Sequence, residues 1–137
     1  MTELDLKIQA AYQSNGQQEA VNHVYLTFFR TTLFVPVKKQ IQKDDLEPFS
    51  PLYANIDGKY YLPTFDTLER LQAWAKDIID DIHFVELTGD DLLAGVNKDV
   101  YVCLNIGTAF YKEFSPDEVL HLKKIIGKLA QIQSRNE

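Results

Sequence analysis

The chain has 137 residues, 45% of them hydrophobic and 25% charged, with few glycines and prolines. That is the composition of a globular protein with one real core, burying roughly 68% of its unfolded surface, and it excludes a disordered or fibrous chain. The net charge of −6 repels phosphate backbones, so nonspecific nucleic-acid binding is not expected.

The opening "MTELDLKIQAAYQ" carries two acids and no continuous apolar run, so it resembles neither a signal peptide nor a transit peptide. Leu4, Ile8, Ala11 and Tyr12 recur at helical spacing, with Thr2 placed to cap the first turn. "SNG" ends that helix. Ser14 and Gln17 have capping-box spacing for a second one, along which Ala20, Val21, Val24, Tyr25, Phe28 and Phe29 form an apolar stripe; the two predict a helical hairpin. "TLFVPVK" is β-branched and aromatic with one proline, the pattern of a strand at an edge or bulged near Pro36. A polar loop, "KKQIQKDDLEPFS", follows.

In "PLYANIDGKYYLPTF" the pair Asp57–Gly58 is the two-residue turn of a β-hairpin, which sets Ala54 opposite Tyr61 and Asn55 opposite Tyr60. Asp66 or Thr67 then caps a helix with Glu69 at capping-box distance from Asp66, and Leu68, Leu71, Trp74, Ala75 and Ile78 form its inner face. "IHFVELTG" reads as a strand, "DDLLAGV" as a short helix, and "VYVCLNIG" as a strand apolar on both faces and therefore central. The last helix starts with Ser115 as cap, Pro116 in first position and Glu118 closing the box, and turns Leu122, Ile125, Ile126 and Leu129 inward. The order ααβββαβαβα predicts one α/β (α+β) domain over residues 1–137, a mixed β-sheet containing a hairpin and packed with helices.

Chemistry is sparse. His23, His83 and His121 lack any paired spacing, so no metal site is expected, and no phosphate loop, dinucleotide fingerprint, nucleophile elbow or zinc-protease motif occurs. No cofactor is predicted. The doublets Asp44/Asp45, Asp80/Asp81 and Asp90/Asp91 read as solvated helix or loop starts, and Lys38, Lys39 and Lys43 as a diluted basic run. Cys103 is the one cysteine; it allows no internal disulfide, fits a reducing compartment, and reads as a small core residue because nothing in the pattern supplies a base for it. No stretch reaches the roughly 18 apolar residues of a membrane helix. Tyr53, Tyr60, Tyr61, Phe65 and Trp74 concentrate around the hairpin, and adjacent Tyr60 and Tyr61 must point to opposite faces of their strand.

The succession "LFVPV", "PLYANIDGKYYLPTFDTLERLQAW", "GDDLLAGV", "VYVCLNIGT" and "FSPDEVLHL" resembles the SseB-like family, the N-terminal domain of enhanced serine sensitivity proteins, over about residues 17–130. Its most specific pieces are the junction "TFDTLERL", with Asp66 and Thr67 where the family has Thr and Ser, and the strand end "LNIGT", with Ile106 in place of a proline. The resemblance implies a bacterial, cytoplasmic α/β domain without an established catalytic mechanism. The expectation is therefore a noncatalytic interaction or regulatory module. Its contact surface would comprise Tyr53, Tyr60, Tyr61, Asp66, Thr67, Asn105 and Thr108, and its partner would be another protein or a second copy of itself, not a nucleic acid or a membrane. The alternatives are a small acidic inhibitor or immunity-type protein for a basic partner, and an enzyme using Cys103 or an acidic pair.

Overall fold

Thr2 begins the first helix, α1 (Glu3–Gln13), through a full capping box: its hydroxyl accepts the Asp5 N–H and the Asp5 carboxylate accepts its own N–H. The computed structural model describes residues 1–38 and 51–135. The predicted loop over 39–50, with Lys39, Lys43, Asp44 and Asp45, lies outside the described residues. Ser14 ends α1, its hydroxyl donating to the Ala11 carbonyl, and it also accepts the Gln17 N–H at 3.2 Å, half of the expected box; α2 (Gln18–Arg30) starts after it, with Gln17 as its cap residue and no side-chain bond from that cap. The rest of the hairpin follows the pattern, with Val24, Phe28 and Phe29 buried between α1 and the remainder of the core.

Two sheets form instead of one. β1 (Thr32–Lys38) pairs antiparallel with β4 (Ile82–Thr88), while β2 (Ala54–Ile56), β3 (Lys59–Thr64), β5 (Val100–Leu104) and β6 (Lys112–Phe114) form a mixed sheet in the order β2-β3-β5-β6. Paired hydrogen bonds between Phe34 and Phe65 tie the two together. Pro36 lies in the two-stranded sheet, where a missing donor is tolerated at an edge. The hairpin turn is as read: Asp57 (φ 53°) and Gly58 (φ 79°) are both left-handed, and Ala54 faces Tyr61 while Asn55 faces Tyr60.

Alternation divides the mixed sheet. Leu62, Val100, Val102, Leu104 and Phe114 point into the main core with α1, α2, α4 (Gly89–Gly95) and α5 (Pro116–Arg135). Tyr61, Pro63, Tyr101, Cys103 and Glu113 occupy the other face. A smaller cluster of Phe65, Leu71, Ala75 and Ile82 seats α3 (Leu68–Trp74) on the far side of β1. Three expectations about inner faces change. α3 stops at Trp74 and leaves Ile78 exposed; Tyr12 is exposed on α1; and Leu129 lies on the exposed second half of α5, where Leu122 is the last fully buried residue of the stripe.

Candidate functional site

β3 and β5 run parallel, so their C-terminal ends open side by side, and the chain must turn away from both at the same place. After β5 it turns through Asn105, whose φ of 57° is left-handed, a conformation Asn tolerates better than most residues. The Asn105 N–H donates to the Thr64 carbonyl (2.8 Å) and its side-chain Oδ1 accepts the Asp66 N–H (3.2 Å), locking the two strand ends together. Thr108 closes the turn by donating to the Asn105 carbonyl at 2.9 Å. Asn105 is wholly buried, and its Nδ2 has no hydrogen-bond partner among the described residues.

After β3 the chain passes Phe65 and enters α3. Thr67, not Asp66, is the cap, accepting the Arg70 N–H at 3.1 Å. This frees the Asp66 carboxylate, which accepts the Thr2 hydroxyl (2.6 Å) and Arg70 Nη1 (2.7 Å). Arg70 also grips Asp5 with a two-pronged contact, Nη1 to Oδ1 at 2.8 Å and Nη2 to Oδ2 at 2.6 Å. Its guanidinium lies 5.6 Å from the centre of the Phe110 ring. Burial would raise the Asp5 pKa, but Arg70 and Thr2 outweigh it and hold the carboxyl below its ordinary value. The same bonds, led by Asp5, raise Arg70 further above neutrality.

At the other end of β3 the tyrosines separate as alternation requires. Tyr53 and Tyr60 meet edge to face at 6.3 Å, with Tyr53 resting on the main core and Tyr60 49% exposed. Tyr61 lies on the opposite face, stacked on Tyr101 at 4.9 Å, with the Lys59 ammonium 5.6 Å from the Tyr101 ring centre. Thus the seven candidate residues do not form one site. Asp66, Thr67, Asn105 and Thr108 converge at the C-terminal end of β3; Tyr60 stands at its start, about 13 Å away along the strand. Asn105 and the Asp66 carboxylate are buried, so that end organises the fold and offers little contact area.

Cys103 sits under the outer face, 2% exposed, with the Tyr111 hydroxyl 3.8 Å from its sulfur. Burial pushes its thiol up, and nearby Glu113 adds to the rise, the reverse of what a thiolate nucleophile requires. The three histidines are exposed, and among the described residues no group of three or more His, Cys, Asp or Glu is placed to hold a metal ion. No described helix is long and apolar enough to cross a membrane.

The SseB protein N-terminal domain matches residues 4–121. The chain belongs to this family. No curated protein and no solved structure matches it. The matched span of this SseB-family domain takes in both sheets and stops inside α5, so the tyrosine face and, apart from Thr2, the strand-end network are within it. Sequence reasoning missed Arg70, Asp5 and Tyr101. The Asp66–Arg70 spacing of four residues was readable as a helix-start pair, and Thr2–Asp5 as a capping box. That Arg70 joins the two could not be read locally, because Asp5 lies 65 residues away.

Proposed function

We propose that this SseB-family domain is a noncatalytic protein-interaction module whose contact surface is the hairpin end of the mixed sheet's outer face. The observation that carries this reading is the stacked Tyr61–Tyr101 pair, half-buried on the face turned away from the core. Beside it on the same face stands Lys59, while the exposed ring of Tyr60 lies on the opposite face at the hairpin edge, against Tyr53. Stacked tyrosines present a large rigid area at small entropic cost, and neither phenol hydrogen-bonds a described residue, so both hydroxyls remain for a partner. The acidic network at the strand ends supports the surface and is not part of it.

The acidic-inhibitor reading is weaker on geometry. Asp80/Asp81 precede β4 and Asp90/Asp91 follow it, which puts the two doublets about 20 Å apart at opposite ends of one strand. An electrostatic plug needs its charge gathered on one patch. The lone buried cysteine and the net charge of −6 suit a reducing, cytoplasmic compartment and a protein rather than a nucleic-acid partner.

The test is affinity recovery from cells with wild type and a Tyr61→Ala/Tyr101→Ala variant, each checked by thermal melting. Loss of proteins retained by the folded wild type supports the tyrosine surface. Identical partner sets, from variants that melt alike, would overturn it.

A further inference from the structure

Between the α1–α2 hairpin and the start of α5 lies a cleft of about 540 Å³, walled by Ile8, Ala11, Val21 and Val24. It lies on the core side of the mixed sheet, away from the tyrosine face. Its size is that of an ordinary small-molecule site; Tyr12 and Asn15 line one part of it, and its charged side chains, Lys112 and Glu118, meet Tyr25 in another. There Glu118 accepts the Tyr25 hydroxyl at 2.6 Å, and Lys112 Nζ bonds both Glu118 oxygens at 3.2 Å. In the sequence Glu118 is a helix-capping acid; in the structure its N–H bonds Ser115 Oγ while its carboxylate turns to Tyr25 and Lys112.

The hydrogen-bond inventory of this triad is incomplete. An ammonium has three N–H groups, and among the described residues only Glu118 accepts from Lys112, the Tyr25 oxygen donates but accepts nothing, and Glu118 Oε1 has one bond where it can take two. The triad therefore offers a donor and two acceptors at the edge of an apolar cleft. Lys112 and Glu118 cancel in charge, so a charged head group would meet one opposite and one like charge within a few ångströms. From this geometry we propose that the cleft binds a small uncharged amphiphile, an apolar body carrying one hydroxyl or primary amide that accepts from Lys112 and donates to Glu118 or Tyr25.

Three probes with the same ring and different heads test this on the full chain by amide NMR: 2-cyclohexylethanol, cyclohexylacetic acid and 2-cyclohexylethylamine at neutral pH. The alcohol is expected to give saturable shifts at Ala11, Val24 and Glu118, and the acid and the amine to bind roughly tenfold more weakly. Two variants should reverse the order of preference. Glu118→Gln leaves Lys112 unpaired and should favour the acid; Lys112→Met leaves Glu118 without its cation and should favour the amine. Such gains cannot come from misfolding. The proposal falls if the alcohol gives no saturable shift, if the three probes bind alike, or if neither folded variant changes preference. It also falls if the same amides shift with protein concentration alone, which would put a second copy of the chain in the cleft.

Discussion

Arg70 is the residue on which the strand ends depend. Two carboxylates that are almost wholly buried, those of Asp5 and Asp66, share its guanidinium, while Arg70 itself keeps 20% of its side chain in solvent. Removing one partner of a buried pair is far more damaging than never having built it, because the remaining charge has lost both water and counterion. Arg70→Met is therefore expected to lower stability by about 3–5 kcal/mol, read as a shift in urea midpoint with unchanged slope. A loss below about 1 kcal/mol would mean that the network behaves as an exposed surface pair. The pH dependence has a definite sign. Asp5 ionises more readily folded than unfolded, so its contribution is complete above the unfolded pKa near 3.8 and disappears as pH falls through the lower folded value. Wild type should thus exceed Asp5→Asn in stability at pH 7, and the difference should shrink once pH drops below about 4. A gap that stays constant down to pH 2 would remove Asp5 from the account. At this scale the sequence is readable only in part: Thr67 and Asp66 both have the chemistry of a cap, and only the bonds that Thr2 and Asp5 make to Asp66 and Arg70 show why Thr67 takes the cap and Asp66 the arginine.

Among the elements, α4 shows how tightly the helical layer is fitted. Gly89 opens it, its N–H donating to the Thr31 carbonyl at 3.0 Å, and a methyl group added there would lie 1.9 Å from the Phe28 carbonyl oxygen. That obstacle is backbone and cannot rotate aside, so α4 must retreat from α2 and loosen Leu92 and Leu93 with it. Gly89→Ala is expected to cost about 1–3 kcal/mol, whereas Gly95→Ala, with open space around the added carbon, should cost little. Comparing their melting temperatures checks it; equal effects would show that the close approach does not matter. The elements found from sequence are those with their own chemistry at the ends: the Asp57–Gly58 turn, the Thr2 cap and the Ser115–Pro116 start. β6 has none. Its three residues carry one inward apolar side chain, Phe114, and it becomes a strand only because β5 is there to pair with it. The division into two sheets was illegible for the same reason, since the Phe34–Phe65 junction joins segments whose local patterns say nothing of each other. Likewise, the tyrosines were visible as a cluster, but Tyr101, the ring that gives Tyr61 its stack, comes from a strand read as core.

For the molecule as a whole, β5 is the member whose exposure requires the most to come apart. It lies between β3 and β6, has Leu62, Phe114 and the helices against its inner face, and carries Cys103 on its outer face. Cys103 is thus a built-in reporter of opening. In the folded protein its sulfur is 2% exposed and its thiol is pushed up by burial, so both access and thiolate fraction oppose reaction. If the sheet opens only with the rest of the core, labelling by a disulfide reagent should run about a thousandfold or more slower than for a free thiol, and urea should accelerate it in step with global unfolding. Tyr111 provides the contrast. It is 38% exposed and covers the sulfur from a loop before a short edge strand, so a local movement of that ring could admit reagent while the sheet stays closed. Tyr111→Ala should then raise the labelling rate in the absence of urea while shifting the unfolding midpoint much less than Arg70→Met does. If wild-type Cys103 instead reacts at the rate of a free thiol under native conditions, β5 is not the closed centre of the sheet. The outer face would then be too mobile to hold Tyr61 and Tyr101 as a preformed contact surface.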